Sequence, residues 1–244
     1  MINKVCQNLI GVFKDIKDGS RVMVGGFGLS GNPEYLIEAL YLKNIKRVTI
    51  IGNNCGTNYS GLGVLLKRKQ VKRFVGSFIG GNSMLTKQFI TGQVEVELIP
   101  QGSLAEKIRC GGSGIPAFYS PVGLNTLIDI GMPIKYNLAG VVIKKSAPKD
   151  RKTFSKNIYI LEEAIKADFA LIKSYQCDNF GNLIFRKTAR NFNPEMCTAA
   201  NSVIVETENE VKIGDLDPDK IHISGLYINY IINNKNSRKL IENK

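Results

Sequence analysis

Over the first hundred positions, short apolar runs alternate with longer stretches in which apolar residues recur every three or four positions. The runs mark buried strands and the recurrences mark amphipathic helices. Read this way, the chain predicts helix Asn8 to Ile16, strand Arg21 to Val24, helix Glu34 to Leu42, strand Val48 to Ile51 and helix Gly63 to Lys69. Strand Arg73 to Ser77, helix Ser83 to Thr91, strand Glu95 to Ile99 and helix Ser103 to Gly111 continue the alternation. Repeats of this kind predict an α/β fold, a mostly parallel open sheet with helices on both faces.

The pattern then changes. Gly131 to Ser155 holds Pro133, Asn137, Gly140, Pro148 and six lysines or arginines with little helical period. It reads as a mobile excursion or a β-hairpin flap. Short strands follow at Ile158 to Leu161, Phe169 to Lys173, Leu183 to Phe185 and Val203 to Val205, with a turn from Asp178 to Asn182 between two of them. A loop and a helix packed by Met196, Cys197, Ala199 and Ala200 lie before the last of these strands. The polar tail at 233–244 is expected to fray, and residues 1–244 to form one domain.

Between the first strand and its helix stand Gly25, Gly26, Gly28 and Gly31, with Pro33 at a first helical turn. A strand, glycine turn and helix present unpaired N–H groups to an anion and let a ligand approach the main chain. Ligands of such sheets sit outside the carboxyl ends of the strands. Four loops fall there: Gly25 to Gly31, Gly52 to Gly56, Ser77 to Asn82, and Pro100 to Gly102. Gly26, Gly28 and Gly31 also match the dinucleotide spacing, but that fold needs an acid after the next strand, where this chain has Asn53 and Asn54.

Composition changes the picture mainly by exclusion. No apolar run reaches the roughly 18 residues of a membrane span. Lys4, Lys14, Asp15, Lys17 and Asp18 interrupt the N-terminal apolar positions, so no secretory signal is read and the chain is expected in the cytoplasm. Cys6, Cys55, Cys110, Cys177 and Cys197 are odd in number and widely spaced, which argues for free thiols and against a disulfide framework or a zinc site. His222 is the sole histidine and reads as structural, since no nucleophile motif accompanies it.

The string from Asp18 to Pro33, DGSRVMVGGFGLSGNP, is more specific than its glycines. With GNNCG at 52–56, GLGVLLKRKQVKR at 61–73, VEVELIPQGSLAEKIRCGGSGIPAFYSPVG at 94–123, ILEEAIKADFALIK at 160–173 and GNLIFRKTARNFNPEMC at 181–197, it resembles the family I CoA-transferases, specifically the A subunits of the 3-oxoacid enzymes.

The resemblance implies transfer of CoA from succinyl-CoA to acetoacetate through a glutamyl-CoA thioester, the glutamate lying in a Ser-Glu-Asn-Gly motif on a separate B subunit. This chain has no such motif. Its own Glu34, Glu95, Glu97 and Glu106 fall in helix or strand patterns that suit solvated or capping roles. It is therefore expected to complete a partner's site, in a heterodimer that pairs into a heterotetramer, with CoA as substrate and no cofactor or metal. By the same resemblance Gln101, read here in a Pro-Gln-Gly turn, is the amide donor to the reacting oxygen, and Asn53 and Asn54 line the same pocket. Gly25, Gly26, Phe27, Gly28, Gly31, Gly80 and Asn82 are the implied substrate- and CoA-binding positions. The chain departs from the family pattern at Ser30, Asn32, Gly81, Lys152 and Thr153, which bears on acyl specificity. The A subunit of an acetate/butyrate:acetoacetate CoA-transferase and a non-catalytic CoA- or nucleotide-binding module are the alternatives.

The net charge of +12 is read as a solvated lysine-rich surface that would also draw in the phosphates of CoA. Basic residues are spread along the chain, clustering locally only at Lys67 to Arg73 and Lys144 to Lys156, and no nucleic-acid-binding motif accompanies them, so nucleic acid is not an expected partner.

Overall fold

A computed structural model describes residues 3–234. Its helices are α1 (Leu9–Phe13), α2 (Glu34–Lys43), α3 (Gly63–Lys67), α4 (Ser83–Ile90), α5 (Gln101–Gly112), α6 (Leu127–Ile130) and α7 (Asn193–Thr198). The main sheet contains β1 (Arg21–Val24), β2 (Val48–Ile51), β3 (Val71–Gly76) and β4 (Glu95–Leu98). Smaller sheets hold β5 (Ala117–Ser120), β6 (Pro133–Tyr136), β7 (Val142–Lys145), β8 (Arg151–Phe154) and β9 (Asn157–Glu163). The main sheet resumes with β10 (Ala167–Asp178), β11 (Leu183–Ile184), β12 (Ala200–Val211) and β13 (Tyr230–Asn233).

The sheet runs β13-β12-β10-β1-β2-β3-β4, every neighbouring pair parallel, with β11 antiparallel beside the end of β10. Consecutive residues of its strands face opposite layers, and both faces are buried. Val22, Val24, Ile50 and Phe74 pack with Leu36, Ile37 and Leu40 of α2, Leu65 and Leu66 of α3, and Leu85 of α4. Met23, Ile51 and Val75 face the other way, onto Leu104 and Ile108 of α5 and Met196 of α7. Burial on both sides explains why these strands read as continuous apolar runs.

The chain lays β1 to β4 outward in one direction, then returns to place β10, β12 and β13 on the other side of β1. The direction reverses between β1 and β10, and in open parallel sheets ligands bind in the crevice at such a point. The glycine loop after β1 lies there.

The segment expected as a flap contains an antiparallel hairpin, β6 with β7, and β8, which pairs with β9 in a three-stranded sheet completed by β5. Glu95 at the start of β4 clasps the hairpin, with Lys135 Nζ at 3.5 Å and Lys144 Nζ at 3.1 Å. The frayed tail expected from 233 begins inside a strand, Asn233 being the last residue of β13, and its remainder beyond Asn234 falls outside the described residues. Among the described residues no helix is long and apolar enough to cross a membrane.

Two strands are much longer than expected. β10 and β12 are each 12 residues and stay in register from Ala167↔Ala200 to Asp178↔Val211. The turn after β10 is built by Asp178, whose Oδ1 accepts from the N–H groups of Phe180, Gly181 and Asn182.

Candidate functional site

Gln101 is not in a turn. It is the first residue of α5, with Pro100 as the capping position and Leu104 N–H donating to Pro100 O at 2.8 Å. The first turn of a helix leaves its N–H groups without helical partners and carries the positive end of the macrodipole. An exposed Gln101 side chain on that turn stands at the carboxyl end of β4.

The side chain is held by two others. Asn53, after β2, donates from Nδ2 to Gln101 Oε1 at 2.8 Å and to Ser77 Oγ at 3.0 Å. Ser77, after β3, places its hydroxyl in hydrogen-bond contact with the same Oε1. Asn53 is nearly fully buried, and its Oδ1 accepts from Gly28 N–H at 3.2 Å. One asparagine thereby joins the loops after β1, β2 and β3 to the start of α5. Both of its amide protons are used inside the cluster, while Gln101 Nε2 makes no hydrogen bond among the described residues.

The glycine loop is fixed from beneath by two asparagines of the segment around α7. Asn191 Oδ1 accepts from Gly26 N–H at 3.1 Å, and its Nδ2 donates to Ser30 O at 3.1 Å. Asn193 is fully buried; its Nδ2 donates to Gly31 O at 3.1 Å and to Ala189 O at 2.9 Å, and its Oδ1 accepts from Lys173 N–H at 2.9 Å. A Cβ at Gly31, where φ is +70°, would lie 2.6 Å from Ala189 O. Phe27 and Ser30 exchange backbone hydrogen bonds across Gly28 and Leu29, which turns Phe27 outward, half exposed.

A buried carboxylate then sets the helix that follows. Glu206 of β12 accepts from Tyr35 N–H at 2.9 Å through Oε2, capping the first turn of α2, and its Oε1 meets Lys173 Nζ at 3.3 Å. Tying α2 to β10 and β12 in this way holds the exit of the glycine loop.

The remaining sequence-predicted positions divide. Gly80 lies under the half-exposed ring of Phe78, whose N–H donates to Asn53 O at 3.2 Å, so this loop also meets the cluster. Asn54 accepts from Gly56 N–H at 3.0 Å, a local turn bond. Asn82 is buried: it caps α4 through Leu85 N–H and donates to Cys55 O at 3.2 Å and Thr57 O at 3.0 Å. Its polar atoms brace the loop after β2 from behind. Glu95, Glu97 and Glu106 are engaged by lysine or arginine, and Glu34, at the start of α2, is pushed above the ordinary carboxylate range chiefly by burial.

The hydrogen-bonded cluster of Asn53, Ser77 and Gln101 contains no ionisable group. It offers a neutral donor and no base to activate Ser77. His222 is committed elsewhere, accepting from Phe185 N–H at 2.9 Å through Nδ1 and stacking on that ring. Asn53 stands where a dinucleotide fold would need a ribose-binding acid, and its amide is spent on Gln101.

Sequence reasoning named Gln101 and Asn53, placed Ser77 at the start of a crevice loop without giving it a role, and missed Asn191, Asn193 and Glu206. Ser77 had a local signal, a polar residue directly after an apolar strand. The others act on residues more than 160 positions away, so no local pattern could reveal them.

A parallel sheet with donor-bearing loops at the carboxyl ends of its strands is an arrangement this chain shares with solved CoA-transferases. The chain superposes with TM-score 0.83 on acyl-CoA transferase YdiF of E. coli O157:H7, a thioester complex with CoA, at 19% identity over 98% of this chain and 49% of that one. Glutaconate coenzyme A-transferase of Acidaminococcus fermentans gives 0.78 at 16% identity, covering 94% of this chain and 75% of that one. The chain belongs to the coenzyme A transferase family, whose pattern it matches over residues 10–234. It is 44% identical over 241 residues to the A subunit of the succinyl-CoA:3-ketoacid coenzyme A transferase of Helicobacter pylori strain J99, covering 99% of this chain and 97% of that protein. To the mouse mitochondrial succinyl-CoA:3-ketoacid coenzyme A transferase 2A it is 47% identical over 228 residues, 93% of this chain but 44% of that longer protein.

Proposed function

We propose that this chain is the A subunit of a 3-oxoacid CoA-transferase that moves CoA from succinyl-CoA to acetoacetate, the catalytic glutamate being supplied by a B subunit. The observation that carries the reading is the cluster of Asn53, Ser77 and Gln101, which turns one amide donor outward and holds no carboxylate and no base to activate its one hydroxyl. The near-complete match to a bacterial relative named as an A subunit supports a separate partner, and a cytoplasmic heterotetramer completes the reading.

In this reading the partner's carboxylate attacks the thioester carbonyl of succinyl-CoA, and the carbonyl oxygen takes up negative charge. Gln101 Nε2 and the positive end of α5 stabilise that oxygen. The tetrahedral centre expels CoA thiolate and leaves a mixed anhydride; the thiolate then attacks the glutamyl carbonyl, releasing succinate and leaving a glutamyl-CoA thioester. Acetoacetate reverses the sequence to leave as acetoacetyl-CoA. Donors aimed at a developing oxyanion are each worth about 100- to 1,000-fold in rate. Gly25, Gly26, Phe27, Gly28, Gly31, Asn54, Gly80 and Asn82 form or brace the crevice walls on either side. Coenzyme A enters as a substrate, and the reaction calls for no resident cofactor or metal.

The test is succinyl-CoA-dependent formation of acetoacetyl-CoA by this chain alone and by its complex with a partner carrying Ser-Glu-Asn-Gly. Activity in the complex only is the expected result. Activity of the isolated chain would overturn the division of labour, and a proven complex active solely with acetyl- or butyryl-CoA would replace the succinyl donor.

A further inference from the structure

The two ends of a glutamine amide are nearly the same in shape and opposite in chemistry, so the neighbours decide which end faces a substrate. At Gln101 the inward end is Oε1. It accepts from Asn53 Nδ2 at 2.8 Å and is in contact with Ser77 Oγ.

The protons can be assigned. Asn53 Nδ2 has two, and its partners are Gln101 Oε1 and Ser77 Oγ, the latter at 3.0 Å. Ser77 Oγ, already accepting from Asn53, has one proton to give, and the acceptors within reach are Gln101 Oε1 and Asn53 O, the latter at 3.2 Å. Ser77 is itself fixed, because its own N–H donates to Asn53 O at 3.0 Å at the end of β3. A flipped Gln101 amide would set Nε2 against the Asn53 Nδ2 donor and lose that bond, and would oblige Ser77 Oγ to accept from it and turn its own proton to Asn53 O.

We infer that Ser77 is a positioning residue for acyl transfer: its hydroxyl is the second donor on Gln101 Oε1 and, with Asn53, whose amide donor sets which end faces inward, it fixes the side chain with Nε2 outward, toward the oxygen that gains charge. Asn53 alone leaves Oε1 on a single bond, about which the side chain swings. With Ser77 the amide is held from two directions by residues at the ends of adjacent parallel strands. The inference rests on the role proposed above for Gln101.

The experiment is a double-mutant cycle in the assembled complex, comparing Ser77→Ala, Gln101→Ala and the pair, with Ser77→Thr as the variant that keeps a hydroxyl. Misorienting a reacting or stabilising group by about an ångström can cost up to about 100-fold in rate, so Ser77→Ala is expected to lower kcat about tenfold while KM for succinyl-CoA stays within about twofold. Ser77→Thr recovers most of that loss, and in a Gln101→Ala background Ser77→Ala costs nothing further. Unchanged kcat in Ser77→Ala, or an equal loss in both backgrounds, overturns the inference even though the wild-type complex transfers CoA. A complex that transfers no CoA at all instead overturns the proposed function. Crystal structures of wild type and Ser77→Ala then decide the positioning role without activity: the Gln101 amide is expected to change rotamer in the variant, and an unchanged amide on Asn53 refutes the lock.

Discussion

A Cβ built on Gly25 would sit 1.9 Å from Oδ1 of Asn193. That oxygen cannot retreat, because it accepts from Lys173 N–H while the other end of the same amide donates to Gly31 O and Ala189 O. The first glycine of the loop is therefore required by contact with a side chain 168 residues later.

Gly25→Ala is expected to destabilise the chain by about 2–3 kcal/mol, the cost of forcing extra volume into a packed interior. Urea denaturation measures it. A loss below about 0.5 kcal/mol would mean that Asn193 has room to move.

Gln101→Glu is the sharpest test of the outward donor. A carboxylate keeps the inward oxygen bonded to Asn53 and Ser77 but presents an acceptor and a negative charge where Nε2 stood. In the assembled complex kcat is expected to fall by at least the 100- to 1,000-fold typical of a lost oxyanion donor, and further than in Gln101→Ala, with assembly intact by size-exclusion chromatography.

Away from the crevice, Glu162 of β9 is almost fully buried between Lys107 Nζ at 2.6 Å and Lys149 Nζ at 2.8 Å. Burial raises its carboxyl, and the two lysines more than reverse this, holding it below the ordinary range. Glu162→Ala leaves the buried Lys107 ammonium uncompensated and is expected to cost about 3–5 kcal/mol by chemical denaturation. Replacing Lys107 and Glu162 together by methionine and leucine is expected to recover much of it.

His222 gives a pH dependence. Burial, then the charge of Arg190, lowers its pKa below the ordinary value of about 6.5, and its Nδ1 must stay unprotonated to accept from Phe185 N–H. Below about pH 6.5 the unfolded chain binds the proton more readily than the folded one, so stability falls as pH falls through this window and levels off below the depressed native pKa. His222→Gln, which keeps an acceptor that does not titrate, is expected to flatten this part of the profile. Denaturation midpoints at a series of pH values for both proteins supply the comparison.

The first half of the fold was legible because β1, β2 and the second half of β3 are buried and stand out as apolar runs, and the helical spacing between them marks the repeat. Gln101 was placed in a turn because Pro100 and Gly102 dominate a local reading. The signal against that was Leu104 and Ile108, four and eight positions after a proline suited to the start of a helix. β10 and β12 were truncated for a different reason. Their second halves, residues 174–178 and 207–211, carry polar residues that pair through the backbone in an extended ladder, so the strands outlast their apolar pattern. In the site, sequence marked the residue that faces outward and the asparagine beside it. It could not show that Asn82 faces inward, since an asparagine in a glycine-rich loop looks the same whether it caps a helix or lines a crevice.

The clasp between Glu95 and the lysines of the β6–β7 hairpin also bears on how chains combine. In the main sheet β4 is a terminal strand, and such a strand offers unpaired backbone groups to any extended segment that approaches. Two lysines brought onto a buried carboxylate draw the hairpin against β4. Sheet-to-sheet fusion of copies is thereby disfavoured at that end of the sheet.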